Sequence, residues 1–234
     1  MKIQAIIFDL DGTIADTQDI WKQATCDLIH SRGVTVSKEL SEELERQLCG
    51  MGLSFTCSFL KNQFGLKDSV EELINEKKER AGALYQNGLT FIDGFIQFHK
   101  TVSALGIKSG VATNSSPEIL KHAKLQLNLE TFFGKHLYDV SRVQYKLKPD
   151  PAIYLYAAQQ LNVPPENCIA IDDSPCGITS AQKAGMFCFG INTASVPDLI
   201  QHADLVIDSY DQIDMSMLFK KKGDCGDRKS CYRR

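Results

Sequence analysis

Hydrophobic residues between positions 18 and 86 recur every three or four residues, which is the spacing of one face of an α-helix. Four such stripes follow one another: Ile20, Ala24 and Leu28; Leu40, Leu44 and Leu48; Phe55, Phe59, Leu60 and Phe64; and Val70, Leu73, Ile74, Ala81, Leu84 and Tyr85. Glycine-containing breaks stand between and after them: Arg32-Gly33, Gly50-Met51-Gly52, Gly65 and Asn87-Gly88. Because glycine interrupts helices, this segment predicts four amphipathic helices with no strand among them.

The rest of the chain alternates short apolar runs with helical patterns. The run Ile3-Gln4-Ala5-Ile6-Ile7-Phe8 is apolar and rich in β-branched residues, as buried parallel strands are. Further strands are expected near 107–113, 136–140, 168–172, 187–191 and 204–207. Helices are expected to begin at Ser116-Pro117-Glu118, Asp150-Pro151 and Ser174-Pro175, where a cap residue precedes proline. The alternation predicts an α/β fold: a Rossmann-like parallel sheet with helices on both faces and a helical insert after the first strand.

The composition of the chain is ordinary for a globular protein. Of its 234 residues, 43% are hydrophobic and 24% charged, and the net charge is −3, so nothing favours a nucleic-acid or membrane partner. No apolar run approaches the roughly 20 residues that span a bilayer. The first apolar run is too short for a signal peptide. A cytoplasmic location is expected, and the oligomeric state stays open, with a monomer compatible.

Eight cysteines stand at positions 26, 49, 57, 168, 176, 188, 225 and 231, without a Cys-x-x-Cys pair. We expect most of them to be reduced core thiols. Residues 220–234 carry seven basic and two acidic residues and almost no apolar ones. They predict a basic tail that cannot bury enough surface to fold.

Two carboxylates follow the first predicted strand. Asp9 and Asp11 stand one residue apart in Phe8-Asp9-Leu10-Asp11-Gly12-Thr13. Open α/β sheets bind their ligands at the carboxyl ends of strands. Two anions this close need a cation, and oxygen-only ligation suits Mg²⁺. Taken alone, however, such a pair is more typical of a turn or a helix N-cap.

Three further segments place polar side chains at a predicted strand end or helix start. They contain Thr113 and Asn114, Lys148, and the adjacent pair Asp172 and Asp173. Each has a simpler interpretation by itself, as a turn, a solvated lysine or an N-cap. Four segments of this kind in one chain favour a shared site over independent coincidences.

The order of these motifs resembles that of the haloacid-dehalogenase superfamily of aspartate-nucleophile phosphatases. Asp-x-Asp-Gly-Thr is followed by Thr, by Lys and by Asp-Asp, close to the phosphoglucomutase-like branch (subfamily I) with its helical cap. The resemblance covers roughly residues 1–210. It implies a core domain of residues 1–17 and 88–219 and a helical cap domain of residues 18–87.

The resemblance also implies catalytic roles. Asp9 matches the nucleophile that forms an aspartyl-phosphate, and Asp11 would protonate the leaving oxygen and then deprotonate the attacking water. Thr113 and the Asn114 amide would donate to the phosphoryl group, and Lys148 would add positive charge beside Asp9. Dehalogenases lack an acid at the second position, so Asp11 argues against halide chemistry.

The implied cofactor is Mg²⁺. It would be held by Asp9, by the main-chain carbonyl of Asp11 and by Asp173, with Asp172 close by or acting through water. The predicted function is therefore a Mg²⁺-dependent phosphatase that acts on a small phosphorylated metabolite.

Two alternatives stay open. One is a receiver-like or inactive phosphate-binding module, although receivers place the acidic pair first and an inactive module would be expected to have lost a motif residue. The other is a sugar phosphomutase of the same branch. Those mutases resemble one another in a histidine after the first motif and a basic residue in the early cap loop. Here Trp21 and the neutral run 50–54 stand at these places, with no Arg or Lys until Lys61, which favours hydrolysis.

Overall fold

The apolar run near the N-terminus forms the centre of a six-stranded parallel sheet. The computed structural model describes residues 3–48, 51–86, 88–193 and 200–214. Its strands are β1 (Ala5–Phe8), β2 (Lys108–Ala112), β3 (Leu137–Tyr138), β4 (Cys168–Asp172), β5 (Phe187–Ile191) and β6 (Leu205–Ile207). Their order is β3-β2-β1-β4-β5-β6. Strands β1, β4 and β5 are buried along their whole length, as expected of inner parallel strands covered on both faces.

The register of the sheet aligns the ends of its three central strands. Phe8, the last residue of β1, pairs with Val111 in β2 and with Ile171 in β4. The chain builds β2 and β3 on one side of β1 and then crosses to build β4, β5 and β6 on the other. This reversal makes a crevice at the carboxyl ends of β1 and β4, where open α/β sheets bind ligands.

Helices cover both faces of the sheet. Helices α5 (Phe95–Ala104), α6 (Pro117–Gln126) and α7 (Glu130–Phe133) pack on one face, where Ile6 and Phe8 point. Helices α8 (Ala152–Leu161) and α9 (Pro175–Lys183) pack on the opposite face, against Ala5 and Ile7. Alternate residues of β1 thus belong to two hydrophobic clusters, one on each face of the sheet. The predicted α/β fold is confirmed.

Four helices lie between β1 and α5, as the hydrophobic stripes predict. They are α1 (Gln18–His30), α2 (Lys38–Leu48), α3 (Leu53–Phe64) and α4 (Val70–Tyr85). Their inward faces form a third hydrophobic cluster around Leu28, Leu44, Leu60 and Leu73. Ser69 and Glu72 form a capping box at the start of α4, which satisfies main-chain donors there.

Two neighbouring backbone segments connect this helical unit to the sheet. The N–H of Asp16 donates to the carbonyl of Thr90, and the N–H of Ile92 donates to that of Ile14, each at 2.9 Å. Ala15 also forms an antiparallel bridge with Phe91. The chain enters the helical unit directly after the first acidic motif. It leaves the unit beside the same point, where residues 90–92 pair with residues 14–16.

Some predicted boundaries differ from the structure by one or more residues, among them those of β3 and α8. Strand β3 covers only two of the five residues near 136–140, because Asp139 accepts a hydrogen bond from the N–H of Ser141 and starts a 3₁₀ turn. Helix α8 begins at Ala152, one residue later than predicted. Asp150 caps it from outside, since its Oδ1 accepts from the N–H of Ala152 at 2.9 Å.

The structure describes five of the eight cysteines and none of the predicted basic tail. Cys26, Cys57, Cys168, Cys176 and Cys188 are free thiols, and the other three cysteines lie outside the described residues. The predicted tail, residues 220–234, also lies outside them. Among the helices that the structure describes, none has the length and apolarity needed to cross a bilayer.

Candidate active site

Asp9 extends the central strand into the crevice. Its N–H donates to the carbonyl of Ile171 in β4 at 2.9 Å, so the main-chain ladder continues one residue past Phe8. The neighbouring strand ends at Asp172, which is fully buried, while Asp9 is 8% exposed. Because the two strands are parallel and adjacent, their terminal carboxylates meet at one edge of the sheet.

Lys148 lies between these two carboxylates. Its Nζ is 2.5 Å from Oδ1 of Asp9 and 2.8 Å from Oδ2 of Asp172. The hydroxyl of Tyr154 donates to the same Asp172 oxygen at 2.7 Å. Lys148 is only 5% exposed, so water screens these ion pairs weakly. One buried ammonium is shared by two buried carboxylates.

The carboxylates outnumber the cation that compensates them. Burial raises the pKa of Asp9 to about 8, which the charge of Lys148 opposes and the charges of Asp172 and Asp11 reinforce. Burial, followed by repulsion from Asp172 and Asp9, raises the pKa of Asp173 well above its usual value. Burial acts to lower the pKa of Lys148, but the charges of Asp172 and Asp9 together raise it. A bound divalent cation would offset the remaining negative charge.

The acidic group has the donor chemistry of a site for a hard divalent ion. Asp9, Asp172 and Asp173 each offer a carboxylate oxygen, and these atoms lie within 4.8 Å of one another. Asp172 is already engaged in four hydrogen bonds, from Lys148, from Tyr154 and from the N–H and Oγ of Ser174. Its oxygens therefore orient Lys148 and the start of α9. The all-oxygen set fits Mg²⁺ better than a soft metal.

Gly12 gives Asp173 the room it needs. Its φ is +76°, a conformation that favours glycine, and a Cβ at this position would lie 2.2 Å from Oδ2 of Asp173. The Oγ1 of the next residue, Thr13, donates to Oδ1 of Asp173 at 3.1 Å. The glycine and threonine of the first motif therefore position the second carboxylate of the last motif.

Asp11 faces the helical unit instead of the other acids. Its carboxylate accepts hydrogen bonds from Oγ of Ser115 at 2.6 Å, from Nε1 of Trp21 at 3.3 Å and from the hydroxyl of Tyr85. Trp21 and Tyr85 belong to α1 and α4, and their rings pack edge to face. The side chain of Asp11 is not part of the acidic group around Asp9, which leaves only its main-chain carbonyl for the predicted metal contact.

Thr113 and Asn114 lie at the end of β2, beside the same crevice. Thr113 is buried, and its Oγ1 accepts from the N–H of Ser115 at 3.0 Å. The Oδ1 of Asn114 accepts from the N–H of Lys148 at 2.8 Å, so Asn114 fixes the segment that carries the lysine. The structure thus brings every predicted site residue to one edge of the sheet.

Sequence reasoning missed four residues around the site. Tyr154 and Ser115 hold predicted site residues, Tyr85 contacts Asp11, and Lys77 lines the cavity above them. In the sequence, Tyr85 belongs to the apolar stripe of the fourth helix, and this pattern gives no indication that its hydroxyl contacts Asp11. The sequence does indicate that Lys77 is unusual. It stands four residues from both Leu73 and Ala81, on the apolar face of α4.

A cavity of about 410 Å³ separates the sheet edge from the helical unit. Asp9, Asp11, Asp173 and Thr113 line its floor, and Trp21 with other residues of α1 to α4 lines the opposite wall. Its volume lies within the range of small-molecule sites. A ligand of the size of a sugar phosphate would contact the acids and the helical unit together.

We expect Gly12→Ala to weaken divalent cation binding by about tenfold or more, because the added Cβ must displace the Asp173 carboxylate. Isothermal titration with Mg²⁺ measures this. Gly33→Ala is the matched control, since Gly33 also has a positive φ, of +83°, but no atom within 4 Å of the added carbon. Equal Mg²⁺ affinity in the two variants would contradict the account of Gly12.

Comparison with known proteins finds a family and several relatives to which this chain is similar. A family model for the haloacid dehalogenase-like hydrolases matches residues 3–185. The 6-phosphogluconate phosphatase of Escherichia coli (strain K12) is 29% identical over 188 residues, which cover 80% of this chain and 82% of that protein. The phosphorylated carbohydrates phosphatase of Thermotoga maritima is 28% identical over 184 residues, covering 79% and 82%.

A solved structure is also similar to this chain in fold and in sequence. The crystal structure of β-phosphoglucomutase from Clostridium difficile superposes with a TM-score of 0.70 at 26% identity, covering 93% of this chain and 96% of that one. The family match spans most of the chain and contains every residue of the acidic edge. The chain therefore belongs to the haloacid dehalogenase-like hydrolase family.

Proposed function

We propose that this protein is a Mg²⁺-dependent phosphatase that hydrolyses small phosphorylated carbohydrates through an aspartyl-phosphate on Asp9. The observation that carries the proposal is the position of Asp9, which is hydrogen-bonded to Lys148, lies beside Asp173 and lines the cavity. Two relatives whose names state phosphatase activity on phosphorylated sugars support the substrate class.

The reaction consists of two displacements at phosphorus. Asp9 attacks the phosphorus atom, and Asp11 donates a proton to the departing ester oxygen. Asp11 then takes a proton from the water that attacks the phospho-aspartate, which releases phosphate and restores the Asp9 carboxylate. Ser115, Trp21 and Tyr85 orient the Asp11 carboxylate toward the cavity through both steps.

The surrounding groups stabilise negative charge. Lys148 neutralises part of the charge on Asp9 and on the phosphoryl oxygens, and Thr113 and the amide nitrogen of Asn114 donate hydrogen bonds to them. Mg²⁺, held by Asp9, the main-chain carbonyl of Asp11 and Asp173, with Asp172 close by or acting through water, would supply further neutralisation of the phosphoryl oxygens.

The two parts of the chain divide the work. In this proposal residues 1–17 and 88–219 form the core domain with the reacting groups, and residues 18–87 form a cap domain that encloses the substrate. The paired segments at Ala15 and Phe91 are the connection between them. The free thiols agree with a reducing compartment, and we assign the protein to the cytoplasm.

The interpretation of the neutral early cap loop, which favours hydrolase over mutase, needs correction. The early cap loop is neutral, but Lys77 and Lys78 of α4 do line the cavity, so the cavity does not lack positive charge. The hydrolase assignment rests instead on the phosphatases among the relatives. Transfer to a sugar is tested in the experiment below.

Asp9→Asn should lower turnover by about a thousandfold or more, because the amide cannot form the phospho-enzyme. The assay is release of phosphate from p-nitrophenyl phosphate with Mg²⁺, and circular dichroism checks the fold. Asp93→Asn, an exposed position, is the control. Phosphorus NMR on glucose 1-phosphate completes the test, since accumulation of glucose 6-phosphate with little free phosphate would contradict the hydrolase assignment.

Removal of divalent ions should abolish activity, because the buried acids around Asp9 then lack their counterion. We expect EDTA to inactivate the enzyme, Mg²⁺ to restore it, and Ca²⁺ to inhibit it, since Ca²⁺ adopts a larger and looser coordination shell. The measurement is phosphate release after dialysis and re-addition of each ion. Full activity after exhaustive dialysis against EDTA would refute a metal requirement.

Tyr85→Phe should slow poor leaving groups more than good ones. The change keeps the ring beside Trp21 but removes a hydrogen bond that orients Asp11. We expect kcat for glycerol 3-phosphate to fall about tenfold more than kcat for p-nitrophenyl phosphate, whose leaving group needs no proton.

The control for this effect is Tyr138→Phe. Tyr138 is a buried tyrosine whose hydroxyl contacts His136 and not the site. It should affect both esters equally. If Tyr85→Phe also slows both esters by the same factor, Tyr85 has no role in protonating the leaving group.

A further inference from the structure

Lys77 is a buried cation that has no hydrogen-bond acceptor within the described part of the chain. Its side chain on α4 is 5% exposed, yet no carboxylate or carbonyl of the described residues accepts a hydrogen bond from it. It stands four residues from both Leu73 and Ala81, so neighbouring turns of the helix present no acid to it. Burial lowers the pKa of Lys77 to about 8, which reflects the cost of the unpaired charge.

Several other partly buried cations of the same helical unit are paired with acids. Arg32 contacts Asp68 at 2.8 Å and Glu76 at 2.6 Å, and Lys22 contacts Glu45. Arg80, three residues after Lys77, also contacts Glu76. Glu76, the acid next to Lys77 in α4, is therefore already paired with Arg32 and Arg80, while Lys77 contacts no acid of the described residues.

Lys77 reaches the cavity on the side of Asp11. Its Nζ lies 5.8 Å from the ring centroid of Trp21, and the indole N–H of Trp21 donates to the Asp11 carboxylate. In the proposed reaction Asp11 protonates the leaving oxygen. A leaving group whose oxygen lies beside Asp11 can therefore extend along Trp21 to Lys77.

A buried ammonium group that lines the cavity beside Trp21, and that has no acid partner among the described residues, matches a negative charge on the substrate. A carboxylate carries that charge and accepts a charge-assisted hydrogen bond from an ammonium group. A hydroxymethyl group in the same place would leave Lys77 without a counterion. The half-buried Lys78 also lines the cavity and adds to the positive potential.

We infer that Lys77 binds a carboxylate on the leaving group, so that the preferred substrates are phosphate monoesters of hydroxy acids and sugar acids. This inference rests on the proposed phosphatase function. It assigns the specificity of the cavity to a residue that touches neither the phosphate nor the acids of the sheet edge.

Two pairs of esters test it, each differing only in a carboxylate against a hydroxymethyl group. They are 6-phosphogluconate with glucitol 6-phosphate, and 3-phosphoglycerate with glycerol 3-phosphate. We expect wild-type kcat/KM to favour the acid in at least one pair. Lys77→Met should reduce that preference roughly tenfold or more, the loss expected for one charged hydrogen bond.

The same variant should be more stable than the wild type. Removing an unpaired buried charge while keeping the length of the side chain should raise Tm by about 2–4 °C. The control is Lys67→Met, at an exposed lysine of the helical unit, which should change neither the preference nor Tm. If Lys77→Met does not fold, Lys77→Gln is measured in the same way.

The possible outcomes distinguish the inference about Lys77 from the proposed phosphatase function. An enzyme that hydrolyses p-nitrophenyl phosphate but prefers neither acid, or that keeps its preference in Lys77→Met, overturns the inference and leaves the phosphatase proposal standing. A lower Tm for Lys77→Met also overturns it, because the lysine would then serve stability. An enzyme that hydrolyses no phosphate ester at all contradicts the proposed function itself.

Discussion

The ammonium group of Lys148, shared between Asp9 and Asp172, is the interaction on which the site depends. Two parallel strands end in carboxylates at one buried edge, and each charge would be costly there without a partner. Loss of the lysine would leave both carboxylates unpaired, a change that costs about 3–5 kcal/mol in buried ion pairs. Tyr154 and Ser174 complete the hydrogen bonds of Asp172, so residues of α8 and of the start of α9 indirectly hold Asp9, the proposed nucleophile.

A second constraint links the sheet edge to the helical unit. Asp11 is held from the sheet by Ser115 and from the helices by Trp21 and Tyr85. Both parts of the chain therefore set the orientation of the carboxylate that we propose as the general acid and base. In the proposed mechanism, proton transfer works only while the helical unit lies over the sheet, which couples enclosure of the substrate to chemistry.

The sequence predicts the sheet and the helices closely, because their signals are local. Buried parallel strands are continuous apolar runs, and β4 and β5 match the predicted ranges residue for residue. The gathering of Asp9, Lys148 and Asp172 is also predictable, since strand ends and a helix start meet at one edge of a parallel sheet. These features need only the order of elements and not the packing of side chains.

The features that the sequence does not predict depend on packing between elements. The direction of the Asp11 carboxylate and the contact with Tyr85 follow from how α1 and α4 sit over the sheet, which no local pattern encodes. The buried position of Lys77 depends on the rotation of α4 about its axis. The length of β3 was overestimated because a short-range hydrogen bond of Asp139 competes with the edge of the sheet.

The central claim is that Asp9 receives the phosphoryl group beside a metal held at the acidic edge. A crystal structure of the protein grown with Mg²⁺ and beryllium fluoride, a mimic of the phospho-aspartate, tests it most directly. The account predicts beryllium bonded to a carboxylate oxygen of Asp9, Mg²⁺ coordinated by Asp9 and Asp173, and fluorine atoms near Lys148 and Thr113. Beryllium fluoride bound to another residue, or Mg²⁺ away from Asp9 and Asp173, would contradict the account.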